Sequence, residues 1–212
     1  VGHAALVALL QAQDIPTEIS RIPSAGRLPG RAVVVLAQPD PDAIDAPSLR
    51  AIINGNSRVL LVLPKWDTRA SPTHPGWIAE ARLMSQARLD RFAEIVAGGM
   101  TVVRPDEVGP WQGRLAGKGP LIDNLQLVRS THLLPLIATD QGILLGLLRN
   151  TGSRVAVLSD PDLLTNAGLH RGANAAIVLS MIEDLRPAGG AVVFDETIHG
   201  FVHAETIWSF LL

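Results

Sequence analysis

The chain has 212 residues, of which 47% are hydrophobic and 18% are charged, and its formal net charge is −2. These values predict one folded domain with a sizeable core, and they exclude a disordered chain and a basic surface for nucleic acid. The absence of cysteine excludes disulfides, thiolate metal sites and a cysteine nucleophile. The sequence contains no apolar run of about 18 residues, so it predicts no transmembrane helix of its own.

The first hundred residues contain two continuous apolar runs, which are typical of strands buried on both faces. These runs are Ala32 to Ala37 and Arg58 to Leu63. Apolar residues at helical spacing predict three helices around them, at Gly2 to Gln13, Ser48 to Asn54 and Leu89 to Ala97. Shorter strands are predicted at Thr17 to Ile22 and Thr101 to Arg104.

The segment from Pro64 to Trp77 is rich in proline, tryptophan and histidine. We interpret it as a long loop that faces a partner or has a functional role. Trp66 and Trp77 lie near its two ends, and we expect them to fix the loop on the core rather than to stack on a ligand.

For residues 105–150 the sequence predicts an irregular β excursion. Its strands are expected at Leu125 to Ser130, Leu133 to Thr139 and Gly142 to Leu148. A strand, a helix and a strand follow, at Arg154 to Leu158, Ala173 to Leu185 and Ala191 to Phe194. Strands that alternate with helices favour a largely parallel sheet with helices on both faces. The predicted fold class is therefore α/β, in a single domain over residues 1–212.

Two of these buried strands end in polar residues, and a polar residue also lies on the apolar face of the helix between them. The residues are Asp160, Asp162 and Asn166 after the first strand, Asp195, Glu196 and His199 after the second, and Asn174 on the helix. Ligands bind beyond the carboxyl ends of parallel strands, so these seven residues form a candidate ligand pocket. If the two strands are neighbours, Asp160 and Asp195 approach each other.

The same residues also have a structural interpretation. Asp160 and Asp162 are suited to cap loops and helix starts, and Asn174 is suited to tie down a loop. His199 and His203 have the spacing of a helical metal pair, but Gly200 between them favours a surface or capping pair. No metal, no cofactor and no catalytic residue is predicted.

Common catalytic motifs are absent from the sequence. It has no GxSxG, no Walker A motif, no GxGxxG and no HExxH. These absences argue against a common hydrolase, a nucleoside triphosphatase or a dehydrogenase that uses one of these motifs.

Over most of its length the chain resembles a bacterial family of unknown function, number 4350 in the domain-of-unknown-function series, and the specific motifs lie in the last third. The resemblance rests on Ser159 to Asn166 (SDPDLLTN), Asn174 to Ala176, Val193 to Glu196 (VFDE) and the pair His199-Gly200. The opening Gly2 to Leu6 (GHAAL) also fits. Thr197 and Ile198 depart from the family pattern, because an aromatic residue and a histidine are expected before the final His-Gly pair.

The resemblance implies a three-layer, flavodoxin-like sandwich similar to the class I glutamine amidotransferase domain. It implies a domain held between transmembrane helices on the extracytoplasmic side of the membrane, encoded near MoxR-type ATPases. The relatives with amidotransferase activity use a cysteine nucleophile, which this chain lacks, so that chemistry does not carry over. Both chain ends are compatible with a piece of a longer membrane-anchored protein, and equally with terminal elements docked on the core.

Three functional hypotheses remain. The first is a non-catalytic binding or scaffold domain of a bacterial membrane protein. The second is a metal-assisted hydrolase that uses Asp160, Asp195, Glu196 and His199. The third is a pure assembly module, whose Pro64 to Trp77 segment docks on a neighbouring subunit of a membrane complex.

Overall fold

The computed structural model describes residues 3–20, 31–37, 41–42, 44–71, 73–74, 78–149 and 151–195. Trp77, Glu196, His199 and His203, about which the sequence makes predictions, lie outside these ranges.

Five α-helices and one 3₁₀ turn occur in the described residues. The helices are α1 Ala4–Gln11, α2 Ala46–Asn54, α3 Gln86–Val96, α4 Asn166–Leu169 and α5 Asn174–Leu185, and the 3₁₀ turn is Pro161–Leu164. The first six strands are β1 Thr17–Ser20, β2 Ala32–Ala37, β3 Arg58–Val62, β4 Trp66–Ala70, β5 Ile78–Leu83 and β6 Thr101–Val103. The others are β7 Leu127–Arg129, β8 Leu133–Ala138, β9 Ile143–Leu148, β10 Arg154–Leu158 and β11 Ala191–Asp195.

Nine of these strands form one sheet in the order β1-β11-β2-β3-β10-β9-β7-β6, with β8 paired to β9. The five strands from β1 to β10 in this order are mutually parallel. The remaining pairs are antiparallel. This arrangement confirms the predicted α/β class with a mostly parallel central sheet.

Helices cover both faces of the sheet, and the strand alternation explains how. Val33 and Val35 of β2 face a core formed with α1 and α5, whereas Val34 and Leu36 face a second core formed with α2 and α3. A strand between two cores has no solvent-facing side. That is why Ala32–Ala37 is apolar at every position and buried throughout.

The prediction of a loop at Pro64 to Trp77 is wrong at Trp66–Ala70, which is a strand. Trp66–Ala70 pairs antiparallel with Ile78–Leu83 in a separate two-stranded sheet, which we call the ribbon. The residues of Trp66–Ala70 alternate between charged and uncharged, which is a strand pattern. The prolines that follow at positions 72 and 75 concealed this pattern, because proline disfavours strand interiors.

The predicted β excursion belongs to the main sheet and is not a separate unit. Its strands β7, β8 and β9 exist, but they extend the main sheet because β9 pairs antiparallel with β10. The predicted turn at Asp140 to Gly142 is confirmed as the link between β8 and β9, closed by a hydrogen bond from Thr139 N to Gly142 O of 2.8 Å.

Candidate functional site

The first predicted cluster lies where β10 leaves the sheet at its carboxyl edge. Asp160 caps the 3₁₀ turn, and its Oδ1 accepts a hydrogen bond of 2.9 Å from Asp162 N. Asp is a preferred cap, and Pro161 at the first position of the turn loses no hydrogen bond there. The local sequence Asp-Pro-Asp therefore fixes both carboxylates just beyond the strand.

A fully buried lysine lies between these two carboxylates. Lys65 follows β3, which is the neighbour of β10 in the sheet. Its Nζ lies 2.8 Å from Asp160 Oδ2, 2.7 Å from Asp162 Oδ2 and 3.0 Å from the carbonyl oxygen of Asp123. An ammonium group has three N–H donors. Each donor of Lys65 therefore has an acceptor, as a buried charge requires.

Asp160 is fully buried as well, and its carboxylate accepts hydrogen bonds from three donors. Besides Lys65 and the Asp162 amide, Gln126 N donates to Oδ2 at 2.8 Å. Burial raises the pKa of Asp160 to about 6 from its usual 3.8, although the charge of Lys65 acts in the opposite direction. The carboxylate is satisfied by hydrogen bonds, yet it still lacks the solvation that water would give it.

Asp162 is the most accessible carboxylate of the cluster, with 23% of its side chain exposed. Its second oxygen, Oδ1, accepts a hydrogen bond of 2.7 Å from Trp66 Nε1. Lys65 Nζ lies 5.4 Å from the centre of the Trp66 ring, within range of a cation–π contact. Trp66 therefore fixes the base of the ribbon to the turn after β10, in agreement with the predicted role of this tryptophan.

An amide and a guanidinium complete the cluster. The Gln126 side chain donates to Pro64 O at 2.9 Å and Ser159 O at 2.7 Å, and its Oε1 accepts from Arg104 at 3.0 Å. Arg104 also donates to Met84 O at 2.9 Å. Desolvation lowers the pKa of Arg104. We call Lys65, Arg104, Gln126, Ser159, Asp160 and Asp162 the hub, because they join the segments that leave β3, β6 and β10.

Asn166 and Asn174 hold loops elsewhere. Asn166 Oδ1 accepts a hydrogen bond of 2.9 Å from Ala5 N at the start of α1. Asn174, fully buried, accepts from Leu121 N at 2.8 Å and donates to Leu121 O at 3.0 Å and Gly168 O at 2.8 Å. Asn174 therefore ties the loop around Leu121 to the start of α5, as its structural interpretation predicts, and these bonds do not involve Asp160.

Asp195, the member of the second predicted cluster that the structure describes, does not adjoin the first cluster. Asp195 is buried at the end of β11, and β2 and β3 lie between β11 and β10. With about 4.8 Å between neighbouring strands, the two strand ends lie about 14 Å apart. The condition for Asp160 to approach Asp195 is thus not met. Glu196 and His199 lie outside the described residues.

Sequence reasoning missed Lys65, Arg104 and Gln126. Each belongs to a different segment, and none stands in a recognisable motif. One signal was available for Lys65, because only Pro64 separates it from the end of the apolar run Arg58 to Leu63. A lysine at the carboxyl end of a buried strand is suited to neutralise carboxylates on the next strand. Its use required the strand order, which the sequence does not show.

Within the described ranges, no group of three or more His, Cys, Asp or Glu side chains is arranged to hold a metal ion. In the same ranges, the helices are too short or too polar to cross a membrane. A family model described as "Domain of unknown function (DUF4350)" matches residues 1–182 of the chain. No curated protein and no solved structure matches it.

Proposed function

The chain belongs to the DUF4350 family of domains of unknown function, and from its geometry we propose that it is a non-catalytic binding or scaffold domain. One observation carries this proposal. The hub carboxylates and the hub lysine form hydrogen bonds with one another, with backbone groups and with the Trp66 indole. A catalytic acid, base or metal ligand must instead offer an atom to a substrate or an ion.

Burial supports the same conclusion. Asp160 and Lys65 have no exposed side-chain surface, so a ligand would reach them only after the hub opened. Removal of one partner from a buried ion pair destabilises a fold by about 3–5 kcal/mol. We therefore assign the hub the role of a rigid joint at the carboxyl edge. On this assignment, partner contacts belong to exposed parts around the joint, above all to the ribbon.

Placement and architecture are the second part of the proposal. The resemblance implies an extracytoplasmic domain held at the membrane by flanking segments, with protein partners such as a MoxR-type ATPase system. The helices on both faces of the sheet are compatible with a three-layer sandwich of the glutamine amidotransferase kind. When the five parallel strands are numbered in chain order, their order across the sheet is 1-5-2-3-4. This order differs from the flavodoxin order 2-1-3-4-5. We therefore propose a three-layer sandwich whose strand order is not that of flavodoxin.

The metal-assisted hydrolase is less well supported. Oxygen ligands lie about 2.0–2.6 Å from Mg²⁺ or Ca²⁺. Asp160 and Asp195 cannot both meet this requirement when their strand ends lie about 14 Å apart. Asp160 is also neutralised by Lys65.

Thermal unfolding with divalent cations tests the non-catalytic role. We expect Mg²⁺, Ca²⁺, Mn²⁺ and Zn²⁺ to leave the Tm unchanged, because a ligand raises the Tm only when it binds the native state. The overturning result is a rise in Tm that Asp162→Asn abolishes and that Asp106→Asn, a control at an exposed position, leaves intact.

Assembly of the full-length protein tests the scaffold role. Deletion of Pro64 to Trp77 would remove Lys65 from the hub, so we replace only residues 68–81 by an Asn-Gly turn, which suits a two-residue hairpin. We expect the trimmed protein to fold but to migrate as a smaller complex in native gels of solubilised membranes. Asp106→Asn, at an exposed position outside the ribbon, should leave the complex intact. An unchanged complex in the trimmed protein would contradict the scaffold role.

Protease accessibility tests the placement of the full-length protein. We expect the domain to be cleaved in spheroplasts by an added protease and to be protected in inverted membrane vesicles. The opposite pattern would show that the domain faces the cytoplasm.

A further inference from the structure

The ribbon is anchored at its base, and in the described part of the chain the outer edges of its strands are unpaired. Among the described residues, β4 and β5 pair with each other and with no other strand. Met84 N donates to Lys65 O at 2.9 Å, and Arg104 donates to Met84 O. The hub therefore holds the base of the ribbon, where β4 begins and β5 ends. A two-stranded sheet is marginally stable alone, and an open strand edge is a template for a further strand.

The two faces of the ribbon differ in chemistry. The strand register pairs Asp67 with Arg82 and Arg69 with Glu80, so four charges share one face. The register also pairs Trp66 with Leu83 and Thr68 with Ala81, which places these residues on the opposite face. Thr68 and Ala81 are exposed, and Leu83 is 39% exposed. On this second face, Ala81 and Leu83 therefore form a small apolar surface in contact with water.

The charges along β5 are arranged symmetrically about a small residue. Glu80 and Arg82 flank Ala81. If β5 pairs antiparallel with a second β5 about Ala81, Glu80 of each copy lies opposite Arg82 of the other. Opposite charges directly across an antiparallel pair stabilise it, and like charges destabilise it. We propose that β5 pairs antiparallel with β5 of a second copy of this chain, in the register centred on Ala81.

The backbone of β5 suits this register. Met84 N points towards β4, where it binds Lys65 O. Backbone N–H and C=O groups of successive residues in a strand point to alternate sides. The N–H and C=O groups of Ala81 and Leu83 therefore point to the outer edge. Ala81 of one copy can then exchange both hydrogen bonds with Ala81 of the other, as a hydrogen-bonded antiparallel pair requires.

β5 is the better edge for this contact than β4. β4 has a similar charge pattern, Asp67 and Arg69 around Thr68, but Arg88 of α3 binds Asp67 and also Asp42. Arg82 and Glu80 instead bind each other, with 77% and 41% of their side chains exposed. An exposed ion pair of this kind contributes little, so exchanging the two pairs within the copies for two pairs between them costs little.

The expected dimer is weak and reversible, because two ribbon edges bury less than the area of about 1,200 Å² typical of stable interfaces. Attachment of both copies to one membrane would raise their effective concentration and favour the contact. The inference rests on the proposed scaffold function, since it names the partner of the ribbon as a second copy.

Sedimentation equilibrium of the 212-residue chain tests the inference up to about 1 mM, a range that detects dissociation constants near that value. We expect the wild type to form a reversible dimer. Glu80→Arg and Arg82→Glu, each alone, should be monomeric, because each places like charges opposite one another between copies. An equal mixture of the two variants should dimerise. In the mixed pair, the arginine introduced in one chain faces the glutamate introduced in the other, and the remaining native Arg82 faces the remaining native Glu80.

The mixture separates contacts between copies from contacts within one ribbon. Glu80→Arg also faces Arg69, and Arg82→Glu faces Asp67, within their own chains. Mixing leaves those clashes in place, so regained association reports the pairs between copies. Glu107→Arg, the same charge change at an exposed position outside the ribbon, should dimerise like the wild type.

Two results would overturn the inference: a wild type that stays monomeric over the whole range, or a mixture that stays monomeric while the wild type dimerises. Neither result would contradict the scaffold function, which fails separately if trimming the ribbon leaves the membrane complex unchanged.

Discussion

Two sets of charges lie close together along the chain, and they differ in their contact with water. In the hub, Lys65 is fully buried between Asp160 and Asp162. Two residues further on, Asp67 begins the charged face of the ribbon, where the side chains of Glu80 and Arg82 are 41% and 77% exposed. The same kinds of ion pair thus occur under opposite conditions. Buried charges determine which segments must meet, whereas exposed charges are screened and remain available to a partner.

A hub charge and a ribbon charge should therefore differ in their contribution to the stability of the fold, and three measurements test this difference. Lys65→Met should have the largest effect. It leaves Asp160 buried without its counter-charge, and we expect the free energy of unfolding in urea to fall by about 3–5 kcal/mol at neutral pH.

Lys118→Met is the matched control, because Lys118 is exposed. This control should change the free energy of unfolding by no more than about 0.5 kcal/mol. Equal effects of the two substitutions would remove the distinction between hub and surface, and with it the role of the hub as a joint.

The pH dependence of stability should reveal Asp160 next. Its folded pKa of about 6 lies above the usual 3.8, so between these values the folded state holds a proton that the unfolded state releases. Stability from this group is therefore full below about pH 4 and is lost as pH rises towards 6, by at most about 1.4 kcal/mol per pH unit.

Urea unfolding of the wild type and of Asp160→Asn at several pH values isolates this titration. The difference in free energy of unfolding, wild type minus variant, should decrease between about pH 4 and about pH 6 and then level off. A difference that grows with pH would mean that Lys65 outweighs burial and lowers the pKa of Asp160. In Lys65→Met, the loss of stability should extend above pH 6.

Asp67→Asn should have the smallest effect. Asp67 is 44% exposed, and its partner Arg88 keeps a second carboxylate, Asp42, at 2.6 Å. We expect the free energy of unfolding to fall by less than about 1 kcal/mol, and by less still at high salt. A loss as large as that of Lys65→Met would show that the ribbon is as tightly coupled to the core as the hub.

Patterns within single segments predicted much of the fold. The strands β2, β3, β10 and β11 are continuous apolar runs because both of their faces are covered, and this property is visible along the sequence. The ribbon was missed because its strands are short and exposed, and prolines stand between them. The sheet order was not predictable, because runs such as β2 and β10 are nearly alike in composition.

Only part of the hub could be predicted from the sequence. Asp160 and Asp162 stand out after an apolar strand, and Asn174 stands out on an apolar helix face. Lys65 lies 95 positions before Asp160 along the chain, and nothing in its own segment specifies a carboxylate partner. The expected meeting of Asp160 with Asp195 required adjacent strands, whereas β2 and β3 lie between β10 and β11.

Local spacing and apolarity along the chain are therefore enough to predict the α/β class, the buried strands and the strand end at which charged residues gather. Which charges meet depends on the tertiary structure. Strand order places Lys65 beside Asp160 and separates Asp195 from both, and burial then makes one ion pair a joint of the fold. The charges on the ribbon remain partly exposed to water, because β4 and β5 form a two-stranded sheet separate from the main sheet.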